Sequence, residues 1–300
     1  MRILITGSNG LLGQKLIAAL RNDPAVELLA TSRGDDRTAD PLGKRYRSVD
    51  ITQQPAVDAA FDAFRPEVVI HTAAMTNVDA CELDPVACQL QNVTATELLV
   101  QAAKRHNSHF IFLSTDFIFD GKHGPYREED QPAPLSIYGH SKLDGERLVQ
   151  QAGLKQWAIA RTIIVYGIAK GLSRSNVVLW AKGALEKGTP IQVVDDQWRM
   201  PTLAEDLADG CIRIAKKKAT GIFHLSGPDG MNILELVQRV GAFFKLPTTG
   251  VTPVKSDSLG QPAKRPPVTG FVLDKARREL GYAPRSFEEG LAILRDQLEA

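Results

Sequence analysis

Three glycines after an apolar strand constrain this chain most. Residues 2–6 form a short Ile/Leu-rich strand, and Gly7, Gly10 and Gly13 follow it directly and open a helical run at residues 11–22. A turn this tight needs glycine where the chain doubles back, where backbone meets an anion, and where helix packs on strand. The first helical N–H groups then face whatever anion lies in the turn. Read in this strand-turn-helix context, Gly7, Gly10 and Gly13, with Asn9, Leu11 and Leu12 between them, form a candidate dinucleotide cradle. The alternative is a tight βα turn with no ligand. The glycines are spaced three and three, unlike the two and three of the NAD-dehydrogenase fingerprint.

The pattern continues as alternating strands and helices. Strand candidates are residues 2–6, 26–31, 67–71, 109–113 and 157–165; helix candidates are 11–22, 53–64, 86–106 and 136–152. The strands are continuous Val/Ile/Leu/Phe segments, so both faces of a parallel sheet should be covered. The expected fold class is α/β, a Rossmann-type doubly wound parallel sheet with a smaller α/β lobe for substrate. Ligands should sit at the strand carboxyl ends, where Thr6, Thr31, His71 and Ser114 fall. Residues 1–165 are expected to form the nucleotide-binding domain, with 190–225 returning to it and 166–300 forming mainly the lobe. In that second half, helices are expected at 173–187, 203–217, 232–245, 274–280 and 286–298, and strands at 191–194 and 222–225. Residues 247–270, rich in Pro, Gly and Thr, should form a loop shaped around a ligand.

Tyr138 and Lys142 carry the chemistry. At i and i+4 on the expected 136–152 helix, phenol and ammonium share a face. A neighbouring cation should pull the phenol pKa down from about 10 and make it a usable proton donor. Thr115, in the Ser114-Thr115-Asp116 run, adds a hydroxyl for a substrate oxygen. The three together point to reduction of a carbonyl to an alcohol. Tyr166 and Lys170 repeat the spacing, but Gly167 and Gly171 break any helix there, so this pair is a coincidence in a loop.

The second strand candidate ends Thr31-Ser32-Arg33. A hydroxyl and a guanidinium at Ser32 and Arg33 suit a ribose 2′-phosphate, which favours NADP over NAD. NAD stays open, because Asp35 or Asp36 could instead fold back onto the ribose hydroxyls.

A net charge of +1, with 24% charged residues, makes no case for nucleic acid or membrane as the main partner. Cys81, Cys88 and Cys211 show no Cys-x-x-Cys spacing, so reduced thiols in a cytoplasmic protein are expected rather than disulfides or a metal site. His140 lies between Tyr138 and Lys142 but points to a different face and reads as a surface or wall residue. Met1 runs straight into the first strand, leaving no room for a signal peptide. No apolar run approaches the roughly 20 residues that span a bilayer.

These motifs, in this order, resemble the extended short-chain dehydrogenase/reductases, and within them the dTDP-4-dehydrorhamnose reductase family. The resemblance rests on residues 71–79 (HTAAMTNVD), Ser114-Thr115-Asp116 leading to Phe119-Asp120-Gly121, Asp196-Gln197 followed by Pro201-Thr202, Asp206-Leu207-Ala208, and Arg265-Pro266. It implies Tyr138 as proton donor, Lys142 on the nicotinamide ribose, and Thr115 on the reacting oxygen. It further implies Thr76 and Asp116 in the sugar pocket, Asp50 and Ile51 at the adenine, and Ala73, Ala74 and Asn92 along the cofactor channel. Two of these have structural alternatives: Asp50 as a carboxylate near a helix start, Asn92 as a packed amide. Arg265, beside Lys264, is a candidate for the substrate phosphate, with a surface pair as the alternative. The implied ligand is a small-molecule sugar nucleotide, and a homodimer is compatible with the resemblance.

The chain departs from the pattern in three places. Ile164 stands where an aromatic side chain is common, Phe117 where a tyrosine is, and Arg199-Met200 where small residues precede Pro201-Thr202. Phe117 also occupies the position where the related 4,6-dehydratases need a glutamate, and it cannot transfer a proton. An epimerase would use the same Tyr and Lys but keep its cofactor tightly bound. The non-enzyme alternative is a regulatory dinucleotide-binding subunit like the β subunit of methionine adenosyltransferase.

Overall fold

The apolar runs become one parallel sheet. In the computed structural model, which describes residues 1–172 and 175–299, seven strands lie in the order β11-β6-β5-β4-β1-β2-β3. They are β1 Arg2–Thr6, β2 Glu27–Ser32, β3 Tyr46–Ser48, β4 Val68–His71, β5 His109–Thr115, β6 Trp157–Thr162 and β11 Gly221–His224. Each neighbouring pair is parallel. Alternate residues of one strand feed opposite cores. Ile3 and Ile5 pack with α1 (Leu11–Leu20) and α8 (Ala204–Lys217), while Leu4 packs with α2 (Gln54–Phe64) and α5 (Ala95–His106). Each such fully buried side chain contributes about 1.5–3 kcal/mol, and the two-sided burial is why these strands show no polar alternation.

The chain leaves β1 for β2 on one side and reaches β4 on the other, so strand order reverses at β1. Thr6 sits in register with Thr31 and with His71. That reversal opens a crevice at the carboxyl ends of the strands.

The helix expected over 86–106 is interrupted. It runs as α4 (Pro85–Gln89), a π-helical turn Leu90–Thr94, and α5, and a further helix, α3 (Val78–Leu83), precedes it. Asn77 and Asp84 cap α3 and α4 with their side chains. Ser136 caps α6 (Ile137–Gln151), accepting from Gly139 N–H at 3.2 Å.

The strand expected to reach residue 165 breaks as well. It ends at Thr162; after Ile164, whose φ is +30°, the chain resumes as β7 (Val165–Tyr166), which pairs with β10 (Thr202–Leu203). A β-branched residue at positive φ is strained, and here it sits where the chain leaves the sheet for the second lobe. Tyr166 is buried in that lobe's core, whereas Lys170 meets Gln14 through its backbone, so the second Tyr/Lys spacing is a coincidence, set on a strand end and the loop after it rather than on a helix.

The lobe core is formed by α7 (Val177–Glu186), α9 (Ile233–Phe244) and α10 (Phe287–Glu299). The expected start of α7 at 173–174 lies outside the described residues. β8 (Ile191–Val194) pairs with β13 (Val251–Val254), a strand inside the stretch expected to be loop. β9 (Trp198–Arg199) pairs with β12 (Met231–Asn232), and α8 and β11 return to the main sheet. The helix expected at 274–280 is a single π turn, Ala276–Leu280. Among the described residues, no helix is long and apolar enough to cross a membrane.

Candidate active site

The cap at Ser136 puts Tyr138 in the first turn of α6 and Lys142 one turn on, both buried. Two glycines of the same helix let it lie close on β5 and on the turn that follows β5. A Cβ on Gly139 would lie 2.3 Å from the Phe117 carbonyl oxygen, and one on Gly145 would lie 2.5 Å from the Phe112 ring. The helix therefore seats only with glycine at both positions. Phe112 in turn forms the floor beneath Lys142, whose ammonium lies 4.1 Å from the ring centroid.

Thr115 closes β5. Its Oγ1 accepts from Phe117 N–H at 3.2 Å, donates to Asp116 Oδ1 at 3.1 Å, and is hydrogen-bonded to the Tyr138 phenol. Phe117 packs edge-on to Tyr138, with ring centroids 5.9 Å apart. The three expected catalytic side chains thus converge from two elements on one space.

Burial dominates their electrostatics. It lowers Lys142 from 10.5 to about 8, against the opposing field of Glu146, whose carboxylate is itself forked onto Arg161 at 2.7 and 2.9 Å. Burial also pushes the Tyr138 phenol well above its ordinary value; the Thr115 hydrogen bond works the other way, and Asp116 adds to the rise. This corrects the expectation of a phenol drawn below 10. Desolvation of the pair outweighs the ammonium.

Two adjoining cavities, of about 630 and 310 Å³, meet at Gly10, Thr72, Ala74 and Leu172. The larger holds Leu11, Leu12 and Gly13 at one end and Thr115, Tyr138 and Lys142 at the other; Thr76, Asp116, Ile164 and Arg265 also line it. The smaller is lined by Gly7, Asn9, Ser32, Arg33, Asp50, Ile51 and Ala73.

The glycine turn suits a close anion. Gly7 has φ +70°, and a Cβ there would lie 2.6 Å from Ala73 N; one on Gly13 would lie 2.4 Å from Gly7 O. Helix α1 has no side-chain cap, and its first turn carries no acid that would repel a phosphate. The Ser8 hydroxyl, buried in the turn, has no hydrogen-bond partner among the described residues.

Asn9 clamps this turn to the loop after β2. Its amide donates to Asp35 O at 2.8 Å and accepts from Arg37 N–H at 2.9 Å. Arg37 therefore joins Arg33 on the smaller cavity, a second guanidinium that the sequence did not single out. The acidic alternative is weakened on the same loop. Asp36 is committed to Thr38 N–H, Thr38 Oγ1 and Leu42 N–H at 2.9, 2.7 and 2.8 Å, and Asp35 is exposed. Asp50 both lines the cavity and accepts from Thr52 N–H and Oγ1 at 3.0 and 2.7 Å, so its two readings coexist.

Two residues with open alternatives fall on their structural side in this arrangement. Asn92 lines neither cavity. In the π turn its amide accepts from Met75 N–H at 2.7 Å and donates to Met75 O at 3.0 Å and to Ser141 Oγ at 2.9 Å. It fixes the backbone beneath the site, as a packed amide does. Arg265 does reach the larger cavity, but its guanidinium is forked onto Asp79 at 2.7 and 3.1 Å, and neighbouring Lys264 is exposed. A phosphate would have to compete with that carboxylate. His140 is exposed, as expected.

Residues that the sequence did not bring out include Gly139 and Gly145, whose only signal was glycine within a helical run; Arg199 stood out only as a departure from the family pattern, with no role attached. Arg199 is 3% exposed, lines the larger cavity, and places its Nε 3.8 Å from Asp116 Oδ2.

The family model described as RmlD substrate binding domain matches residues 1–299. A dTDP-4-dehydrorhamnose reductase of Aggregatibacter actinomycetemcomitans is 32% identical over 321 residues, covering 99% of each chain. Methionine adenosyltransferase 2 subunit beta of Pongo abelii is 33% identical over 291 residues, covering 95% of this chain and 84% of that protein. A solved dTDP-4-dehydrorhamnose reductase of Bacillus anthracis, in complex with NADP, superposes with a TM-score of 0.82 at 26% identity and covers 99% of both chains. Site motifs, sheet order and these matches agree: the chain belongs to the RmlD substrate binding domain family, the dTDP-4-dehydrorhamnose reductase family of extended short-chain dehydrogenase/reductases.

Proposed function

We propose that this chain is an NADPH-dependent oxidoreductase that reduces the carbonyl of a 4-keto sugar nucleotide to an alcohol. The observation that carries the proposal is the convergence of Thr115, Tyr138 and Lys142 in a cavity continuous with the glycine turn. Its volume of about 630 Å³ falls in the range of small-molecule sites.

The residues present fit a dinucleotide. Gly7, Gly10 and the start of α1 would hold the diphosphate, Ser32, Arg33 and Arg37 the 2′-phosphate, and Lys142 the nicotinamide ribose. When bound, NADPH supplies the hydride. Tyr138 supplies the proton to the carbonyl oxygen, and Thr115 Oγ1 beside it flanks that oxygen and limits how it can turn. A phenol that resists ionisation stays protonated throughout the neutral range, as a donor must. Phe112 and Phe117 keep water from the phenol and the ammonium.

Phe117 argues against water elimination, because it offers no proton where a dehydratase needs a carboxylate. A second reading is favoured by the likeness to methionine adenosyltransferase 2 subunit beta: a dinucleotide-binding subunit of a larger assembly. The intact catalytic constellation weighs against that, since a binding subunit has no need of it.

Tyr138→Phe tests the proposal. NADPH-dependent reduction of a 4-keto sugar nucleotide should fall by about 10²-fold or more, the usual size of a general-acid contribution. Unchanged turnover in the variant refutes the mechanism, and absence of turnover in the wild type favours the binding subunit.

A further inference from the structure

A buried carboxylate and a buried guanidinium stand behind the catalytic hydroxyl. Asp116 is 2% exposed and Arg199 3%. Asp116 Oδ1 accepts from Thr115 Oγ1 at 3.1 Å, and Oδ2 accepts from Thr269 Oγ1 at 2.5 Å while facing Arg199 Nε at 3.8 Å. Arg199 is itself held from three sides. It donates to Trp198 O at 2.7 Å, Pro267 O at 3.3 Å and Gln197 Oε1 at 3.4 Å, and its guanidinium lies 5.7 Å from the Phe117 ring centroid. Arginine thus stands in the wall of the reaction cavity, in contact with the group that orients Thr115.

On these contacts, and resting on the reductase reading, we infer that Arg199 is a positioning residue that acts through Asp116 on the Thr115 hydroxyl at the reacting centre. The argument is one of donors and acceptors. An ionised Asp116 only accepts, so the proton of Thr115 is directed to Oδ1 and the hydroxyl oxygen is fixed between Asp116 and Phe117 N–H. A protonated Asp116 becomes a donor, the hydrogen bond reverses, and the Thr115 proton swings towards Tyr138. The charge of Asp116 therefore sets which face Thr115 presents to the phenol.

Burial pushes the Asp116 carboxyl above its ordinary value, and Arg199 is the cation that pulls it back. Other charged or titratable groups stand near this pair. Tyr138 from α6 faces Asp116, and Arg265, from the loop after β13, acts on Arg199 and is paired with Asp79. Removing the guanidinium should therefore raise the Asp116 midpoint towards neutral pH.

The experiment compares Arg199→Met, Arg199→Lys and wild type in the pH profile of kcat, and follows the Asp116 carboxyl by ¹³C NMR of aspartate-labelled protein. An ion partner at this distance moves a carboxylate by about 1–3 pH units. The Arg199→Met acid limb and the Asp116 midpoint should both rise by about that much, and Arg199→Lys should restore both. In an Asp116→Asn background, Arg199→Met should leave the pH profile unmoved. A uniform loss of kcat at every pH, with no shift of limb or midpoint, overturns the proposal and leaves Arg199 a packing residue. An effect that persists in the Asp116→Asn background also overturns it. The NMR midpoint does not depend on turnover, so a wild type inactive on keto sugar nucleotides refutes the reductase reading, and a midpoint unmoved by Arg199→Met refutes the role of Arg199.

Discussion

Lys142 is held at a thermodynamic cost that can be measured. Burial lowers its pKa from 10.5 to about 8, so in the free protein near pH 7 the chain keeps a charge that its surroundings disfavour. At 1.36 kcal/mol per pH unit this corresponds to about 3 kcal/mol against folding. Lys142→Met removes the charge while filling similar space. It also forfeits the contact over Phe112, about 0.5–2 kcal/mol. The net expectation near pH 7 is a variant more stable by about 1–3 kcal/mol, or about 2–6 °C in Tm for a chain this long, and inactive as a reductase.

The sign follows from proton counts. Between pH 8 and 10.5 the unfolded wild type binds more protons at this lysine than the folded one, so wild-type stability rises with pH across that window. The gap between variant and wild type should be full below pH 8 and close as pH approaches 10.5. Ionisation of tyrosines in the unfolded chain near pH 10 affects both proteins alike and cancels in the difference. Thermal unfolding of ligand-free protein in steps from pH 6.5 to 10 reads this directly. A Lys142→Met protein that is less stable at pH 7, or a gap that ignores pH, would refute the reasoning.

Other expectations follow from the same geometry. Arg33→Ala and Arg37→Ala should each raise KM for NADPH about 10- to 100-fold with little change for NADH, given about 1.5–3 kcal/mol per charged hydrogen bond; steady-state kinetics with both cofactors checks this. Glu146→Gln breaks an ion pair in which both side chains are 2% exposed and leaves Arg161 buried without its countercharge. It should cost about 3–5 kcal/mol by urea unfolding. Gly13→Ala drives a Cβ into Gly7 O at 2.4 Å and should abolish dinucleotide binding, read by titration of protein fluorescence with NADPH.

Much of this site was legible because its signals are local. The glycine turn, the strand ends and the spacing of Tyr138 and Lys142 are written within a few residues of one another, and hydrophobic runs buried on both faces announce parallel strands. What was missed depends on distant chain. β3 is Tyr46-Arg47-Ser48, an edge strand with no apolar run, formed only because β2 offers it a partner. The break at Ile164 arises because Thr202 pulls the chain out of the sheet, donating through Oγ1 to Ile163 O at 2.7 Å. For Asn92 the channel role and the packed amide stayed open, because nothing in its neighbourhood of sequence shows that Met75 takes up its amide. The phenol pKa was misjudged for a related reason: spacing shows the cation, but only the packed structure shows how little water is left.

The most direct test of the central claim follows the hydride. Wild-type protein, NADPH carrying two deuteriums at the nicotinamide C4, and a 4-keto sugar nucleotide should give one deuterium on the new carbinol carbon for each NADPH oxidised. A sugar recovered unlabelled, with no net NADPH oxidation and a dinucleotide that copurifies and does not exchange, would contradict the account.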